Sequence, residues 1–231
     1  MRFLLLADIH GRVTTLRRAF EEVVRDGVDA AFVAGDISSF TGRGWREVLG
    51  VLSEMHAEYG VKSFVTPGNS DPRDVMAVKL DGVTVLHKSV AVLKPYVVAG
   101  VGGGLGFPFL GFSRLGEGGL RSAIKELLAA YGAGLAPYSW VLLTHSPPYG
   151  TPADRLYSGI HAGSKAVREL IVSRKPLLAV CGHIHESRGV GRLGGSTVVN
   201  PGPNYRGFYA VAEAGASGVP EVNVLLRRAR P

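Results

Sequence analysis

The chain contains one cysteine, Cys181, no glutamine and only four asparagines in 231 residues. A single thiol cannot form a disulfide framework or a cysteine-based metal site, so a packed core must hold the fold, and a reducing cytoplasm is the expected compartment. The scarcity of amide side chains is a composition associated with thermostable proteins. Charge is also sparse: charged residues make up 19% against 46% hydrophobic residues, which excludes disordered and fibrous classes. Long apolar runs are missing. The opening segment from Met1 to Ala7 stops at Asp8, too early for the apolar stretch of a signal peptide, and reads as a first buried strand. Residues 95–113 carry no charge, but six glycines and two prolines interrupt them, so no membrane span is expected. At this length one domain over residues 1–231 is expected.

What charge there is leans basic, with a formal net charge of +7. That sign attracts anions, whether a phosphorylated substrate, nucleic acid or an acidic surface, and by itself it does not choose among them. The basic tail Arg227-Arg228-Ala229-Arg230 reads as a solvated end, and no separate nucleic-acid module is visible.

Short runs rich in Val, Leu and Phe recur at Arg2 to Ala7, Asp29 to Ala34, Val61 to Thr66, Trp140 to Thr144 and Leu177 to Val180, each with the length of a buried strand. Between the first three lie helical spacings: Leu16, Phe20, Val23 and Val24, then Trp45, Val48, Leu49, Leu52 and Met55. That alternation predicts βαβ units and a largely parallel sheet. Further strands are expected at Val83 to Leu86, Ser89 to Leu93, Val97 to Val101, Ser196 to Val199, Gly207 to Ala212 and Glu221 to Leu226. Nine glycines between positions 100 and 119 predict a mobile loop or lid. Leu120 to Tyr131 spaces as one amphipathic helix, and Ser164 caps another running to about Ser173. About ten strands and four or five helices fit two sheets flanked by helices better than one very wide sheet.

The polar residues beside these strands carry the chemistry. Asp8 and His10, Gly35-Asp36, Gly68-Asn69, His145, and Gly182-His183-Ile184-His185 each stand just after a predicted strand. Loops beyond the carboxyl ends of parallel strands converge on a common crevice, so residues far apart in sequence can meet there. Asp8, His10, Asp36, Asn69, His145, His183 and His185 offer two carboxylates, one carboxamide and four imidazoles. This mixed oxygen and nitrogen set suits Mn, Fe or Zn better than Mg or Ca alone. A carboxylate such as Asp36 can bridge two cations about 3.5 to 4 Å apart, which share a hydroxide and clamp the oxygens of an in-line displacement at phosphorus.

Asp8-Ile9-His10, Gly35-Asp36, Gly68-Asn69-Ser70-Asp71, His145 and Gly182-His183-Ile184-His185, in this order, resemble the five motifs of the calcineurin-like metallophosphoesterases, and Asn200-Pro201-Gly202 resembles a further loop of that family. The resemblance implies an α/β fold, a four-layer αββα sandwich of two mixed β-sheets flanked by helices. It also implies that Asp8, His10, Asp36 and His185 hold one divalent metal and Asp36, Asn69, His145 and His183 the other. Manganese is the expected ion, with Fe, Zn, Ni, Co and Mg as alternatives. The implied activity is metal-dependent hydrolysis of a small phosphorylated substrate.

One position departs from the family pattern. The motif normally continues Gly-Asn-His, with that histidine protonating the leaving oxygen and the following acidic residue orienting it. Here Ser70 takes its place, a serine hydroxyl is far too weak an acid for that work near neutrality, and Asp71 loses its evident partner. Branches with a small residue here resemble phosphodiesterases more than phosphomonoesterases, so a diester is the expected substrate. Asp36 is expected to bridge the ions and Asn69 to complete their shell, while Ser70 and Asp71 shape the substrate side. His161 is a candidate phosphate contact or replacement acid, against the plainer reading of a loop histidine beside a helix cap. His56 and His87 read as solvated or structural, Asn200-Pro201-Gly202 as a type II turn or a part of the site, and Phe107, Phe109 and Phe112 as loop anchors or a pocket lining. Two other classes compete with the phosphodiesterase: a non-catalytic metal-binding scaffold of the same fold, which intact ligands disfavour, and a nuclease, which only the net charge supports.

Overall fold

The alternation in the first apolar run decides the architecture. In β1 (Arg2–Leu6), Phe3 and Leu5 point one way and Leu4 and Leu6 the other, yet all four are fully buried. A strand buried on both faces lies between two packed layers. A computed structural model describes residues 1–105, 115–215 and 221–229 of the protein.

Strand β1 sits near the centre of a six-stranded sheet. Beside it run β2 (Ala30–Ala34), β3 (Lys62–Thr66) and β4 (Val83–Val85), all parallel, while β11 (Phe208–Ala214) and β12 (Val222–Arg228) complete the other edge antiparallel. The helices α1 (Val13–Val24) and α2 (Trp45–Tyr59) form the crossovers and cover the outer face, where Leu16, Phe20, Val48 and Leu52 meet Leu4, Leu6 and Val33.

The second sheet repeats the plan. Strands β6 (Tyr96–Val101), β7 (Trp140–Thr144), β8 (Leu178–Val180) and β10 (Ser196–Asn200) are parallel, with β5 (Ser89–Leu93) and β9 (Gly189–Leu193) as antiparallel edges. Its outer face carries α3 (Gly116–Tyr131) and α4 (Lys165–Arg174), packed through Leu120, Leu127, Val167 and Ile171. Ser164 caps α4, its Oγ accepting from the Val167 N–H at 3.1 Å. Between the sheets Phe3, Leu5, Phe32 and Phe64 pack against Val98, Val141, Leu143 and Val180. The layers therefore run helices, sheet, sheet, helices, as expected.

Some boundaries differ from the sequence reading. Strand β9 has only Val190 and Leu193 as apolar residues between glycines and an arginine, too little periodicity to mark an edge strand. The described residues hold twelve strands rather than about ten. The expected glycine-rich loop is shorter than its glycines suggest: Gly100 and Val101 end β6, and Gly116, Gly118 and Gly119 lie in the first turn of α3. Phe107, Phe109 and Phe112 lie outside the described residues. No helix among the described residues is long and apolar enough to cross a membrane.

Candidate metal centre

Strands β1, β2, β3, β7 and β8 all point the same way within their sheets, and β2 of the first sheet packs against β7 and β8 of the second. Their carboxyl ends therefore gather the candidate ligands at one edge of the interface between sheets. Four of these ligands hold positive φ: Asp8 (51°), His10 (48°), Asp36 (52°) and His183 (70°). Left-handed backbone costs a residue with a β-carbon about 1 to 2 kcal/mol, and it persists where the surroundings over-determine it. Here it turns the side chain sharply inward straight after the strand. Close backbone approach completes the crowding: a β-carbon on Gly68 would stand 2.1 Å from Asp36 Oδ1, and one on Gly35 would stand 2.5 Å from His145 Nδ1.

Two groups of ligand atoms result, each within 4.8 Å of one another: Asp8, His10 and His185, and Asp8, Asp36 and His145. Hydrogen bonds set the tautomers. His10 Nδ1 donates to the Ser38 carbonyl at 3.1 Å, leaving the Nε2 lone pair facing His185 Nε2 at 3.4 Å. His145 Nδ1 donates to the Ala34 carbonyl at 2.8 Å, so its Nε2 faces Asn69 Oδ1 at 3.0 Å and Asp36 Oδ1 at 3.4 Å. Lone pairs that converge in this way are satisfied by a shared cation, and backbone carbonyls that fix the far ring nitrogen are the usual support for such ligands. The donor set and its arrangement fit divalent metals.

Asp36 sits at the centre. Its Oδ1 lies 3.4 Å from His145 and its Oδ2 lies 3.8 Å from His10, so its two oxygens face imidazoles of the two groups. The Ser70 N–H donates to Oδ1 at 2.8 Å and the Ser70 hydroxyl to Oδ2 at 2.9 Å. Burial alone would raise the Asp36 carboxyl, but His145, His10 and the Ser70 N–H outweigh it and hold it below the usual carboxylate range. Burial likewise opposes charge on His145, yet Asp36 and Asp8 push it up to about 10. Partial withdrawal from water and the neighbouring His145 push His183 down to about 4. The field thus favours positive charge at His145 Nε2 and a neutral His183, which donates its backbone N–H to both Asp8 oxygens at 3.2 Å.

The remaining candidates separate into different surroundings. Ser70 is nearly buried and turned onto Asp36. Asp71 is fully buried and accepts from the Ser38 N–H at 2.8 Å, the Ser38 hydroxyl at 2.5 Å, the Gly68 N–H at 2.7 Å and the Ile37 N–H at 3.3 Å. The expectation that Asp71 would be left without a partner is corrected: with no histidine at position 70, its carboxylate joins two loops. Asn200 is buried, its Nδ2 donating to the Ala153 and Ile184 carbonyls at 3.4 and 3.0 Å, so it braces the segment between His183 and His185. His161 is not in the ligand cluster. Its Nδ1 donates to Asp154 Oδ1 at 2.7 Å, and Asp154 is fully buried and also accepts from the N–H groups of Gly150, Thr151 and Gly163. His56 lies on α2 beside Asp81, and His87 accepts the Gly102 N–H at 3.1 Å.

Three contributors escaped the sequence reading. Ser38 supports both His10 and Asp71. Phe40 stacks on the His10 ring at 3.9 Å, and Tyr205 meets His10 and His185 edge-on at 5.4 and 5.5 Å. Proximity to the motifs was the available signal, Ser38 and Phe40 following Gly35-Asp36 and Tyr205 following Asn200-Pro201-Gly202.

Comparison with known proteins agrees with this geometry. The calcineurin-like phosphoesterase family, whose members bind two divalent metals, matches residues 1–187. The uncharacterized protein MJ1162 of Methanocaldococcus jannaschii is 31% identical over 211 residues, 88% of each chain. Among solved structures, TT1561 of Thermus thermophilus superposes with a TM-score of 0.74 at 23% identity, covering 99% of both chains. A dimetal phosphatase from Danio rerio superposes with a TM-score of 0.61 at 14% identity, covering 100% of this chain and 99% of that one. With the family matched across all five motifs and the fold shared from end to end, the chain belongs to the calcineurin-like phosphoesterases.

Proposed function

We propose that this protein hydrolyses a small phosphodiester at a pair of divalent cations, with manganese the first choice. The observation that carries this reading is the position of Asp36, whose two oxygens face His145 and His10 in the two ligand groups. In this reading Asp8, His10 and His185 hold one ion and Asn69, His145 and His183 the other, with Asp36 shared. When bound, the ions supply a hydroxide nucleophile at neutral pH and positive charge against the phosphoryl oxygens.

The chain's own residues prepare that chemistry. Ser70 orients Asp36 through two hydrogen bonds, and Asp71 fixes the loops that carry Asp36 and Asn69. Pre-set ligands cost little reorganisation at the moment of reaction. Because the Ser70 hydroxyl is directed onto Asp36, it is not a free donor to a leaving oxygen, and a serine occupies less room than an imidazole. Both points support the diester reading: the usual acid is absent, and a serine leaves more room beside the ligands than an imidazole would.

His161 is the proton donor this reading favours. Its segment leaves β7 directly after His145 and is tied to the His183–His185 loop by Asn200 and by the Ser187 hydroxyl donating to the Arg155 carbonyl at 2.5 Å. With Nδ1 held by Asp154, the ring's Nε2 has no hydrogen-bond partner among the described residues, and the side chain is 36% exposed. A non-catalytic scaffold would not require these preset tautomers. A nuclease remains a special case of the diesterase, marked by a steep salt dependence of nucleic-acid binding.

The deciding assay compares a nitrophenyl diester and the corresponding monoester with Mn-loaded protein. Preferential cleavage of the diester is expected. Cleavage of neither would overturn the enzyme reading, and cleavage of the monoester alone would reverse the substrate preference.

A further inference from the structure

We propose that Phe40 and Tyr205 form an aromatic wall that receives a planar ring of the ester, so that preferred substrates carry a nucleoside or another aromatic alcohol. This deepens the phosphoesterase reading and rests on it. Phe40 stands on the loop that leaves β2 through Asp36. One face of its ring stacks on His10, at 3.9 Å between centroids and 26° between planes, yet the residue is 64% exposed. Tyr205 comes from the far end of the chain, where its N–H donates to the Asp8 carbonyl at 3.2 Å. Its ring lies 5.4 Å from His10, 5.5 Å from His185 and 6.4 Å from Phe40, at 80° to the last.

The exposure pattern places this wall at the opening. The His10 side chain is 3% exposed and that of His185 is 23% exposed, so the ligand pair reaches solvent on the His185 side. The rings of Phe40 and Tyr205 border His185 at 6.5 and 5.5 Å. A phosphoryl group bound at the ion that these imidazoles would hold therefore brings an ester substituent beside both rings. Other apolar side chains of this protein are equally exposed, but Phe40 stands against a candidate ligand, where a ring of the substrate stacking on it would withdraw both from water. The Arg206 guanidinium, 5.3 Å above the Tyr205 ring, adds positive charge at the rim. An aliphatic substituent would gain less, because it lacks the face that stacks.

A competing explanation is that Phe40 merely holds the His10 ring in place. Equilibrium binding to the Mn-loaded protein separates the two, using AMP against ribose 5-phosphate and phenyl phosphate against methyl phosphate. Within each pair only the ring differs. Wild type is expected to bind the ringed member about tenfold more tightly. Phe40→Leu and Tyr205→Leu should each reduce that preference to about twofold or less, with methyl phosphate binding and Mn content unchanged. A preference in both pairs identifies any aromatic ring as the feature recognised, and a preference for AMP alone identifies the nucleobase. Equal affinities in wild type would overturn the proposal. So would variants that weaken all four probes equally and shed Mn, since that is the mark of a support for His10. Diester turnover measured on the same samples keeps the readings apart: ring preference without hydrolysis removes the enzyme and leaves the wall, and hydrolysis without ring preference does the reverse.

Discussion

Ser38 gives both of its donors to one oxygen of Asp71, the backbone N–H at 2.8 Å and the hydroxyl at 2.5 Å. The other oxygen accepts from Gly68 at 2.7 Å. A single buried carboxylate thus clamps the loop after Asp36 to the loop before Asn69, and it does so at the position where the family normally orients a histidine. Burial and the charge of Asp36 raise the Asp71 carboxyl, against the hydrogen bonds from Ser38 and Gly68. Asp71→Asn turns an amide N–H₂ toward a backbone N–H whichever way it faces, that of Ser38 on one side or those of Gly68 and Ile37 on the other. It should destabilise the metal-free protein by about 2 kcal/mol in urea unfolding and lower the bound metal content. Wild-type stability and metal content in the variant would show that the clamp is dispensable.

Glycines at the site and on the helices should respond oppositely to the same substitution. A β-carbon at Gly68 would meet the Asp36 backbone nitrogen at 2.4 Å as well as its carboxylate, and neither can retreat cheaply. Gly68→Ala is expected to cost about 3 kcal/mol and to abolish metal binding. Gly50, inside α2, has nothing within 4 Å of its added β-carbon. Gly50→Ala should stabilise by about 0.5 to 1 kcal/mol. Thermal melts of the two variants beside wild type check both signs.

If a missing acid limits monoester cleavage, Ser70→His should raise the ratio of monoester to diester turnover, even though it forfeits the hydroxyl bond to Asp36. A ratio that stays flat while both rates fall would mean that the serine matters only as a support for Asp36.

His161, the proposed proton donor, works through its hydrogen bond to Asp154. His161→Asn is expected to remove one limb of the pH–rate profile and to lower turnover about 100-fold with metal content intact, and Asp154→Asn, which keeps the imidazole but takes away its partner, to move that limb. Asp154 also holds three backbone N–H groups, so its variant needs a melting curve beside it. An unchanged profile in His161→Asn would remove the proposed proton donor.

Away from the site, His87 gives a test of pH dependence. Burial, with Lys88 beside it, pushes its imidazole from 6.5 down to about 4. A group that binds its proton less readily in the folded chain contributes stability that is full above pH 6.5 and is lost as pH falls toward 4. His87→Asn keeps an acceptor for the Gly102 N–H and removes the titration. After allowance for solvent screening, the advantage of wild type over this variant should shrink by about 1 to 2 kcal/mol across that window in urea unfolding. A difference independent of pH would show that His87 does not titrate with folding.

The order of amino acids was enough to place the layers and to single out the residues that the fold gathers at one edge. Buried strands such as Arg2 to Ala7 announce themselves because both faces must be apolar, and helices such as Trp45 to Met55 because only one face is. The seven candidate ligands were legible because each stands directly after such a strand, and parallel strands bring their carboxyl ends together whatever the loops do. Where each side chain directs its hydrogen bonds was settled only by packing. Nothing local to Asp71 reveals that Ser38 donates to it, and the motif before Tyr205 draws attention to that residue without revealing that its ring meets His10. Strand β9 stayed hidden because an edge strand needs little hydrophobic pattern when its partner supplies the backbone hydrogen bonds. Periodicity reports which residues are withdrawn from water, whereas partners are chosen by proximity in three dimensions, and proximity exists only once the sheets have packed.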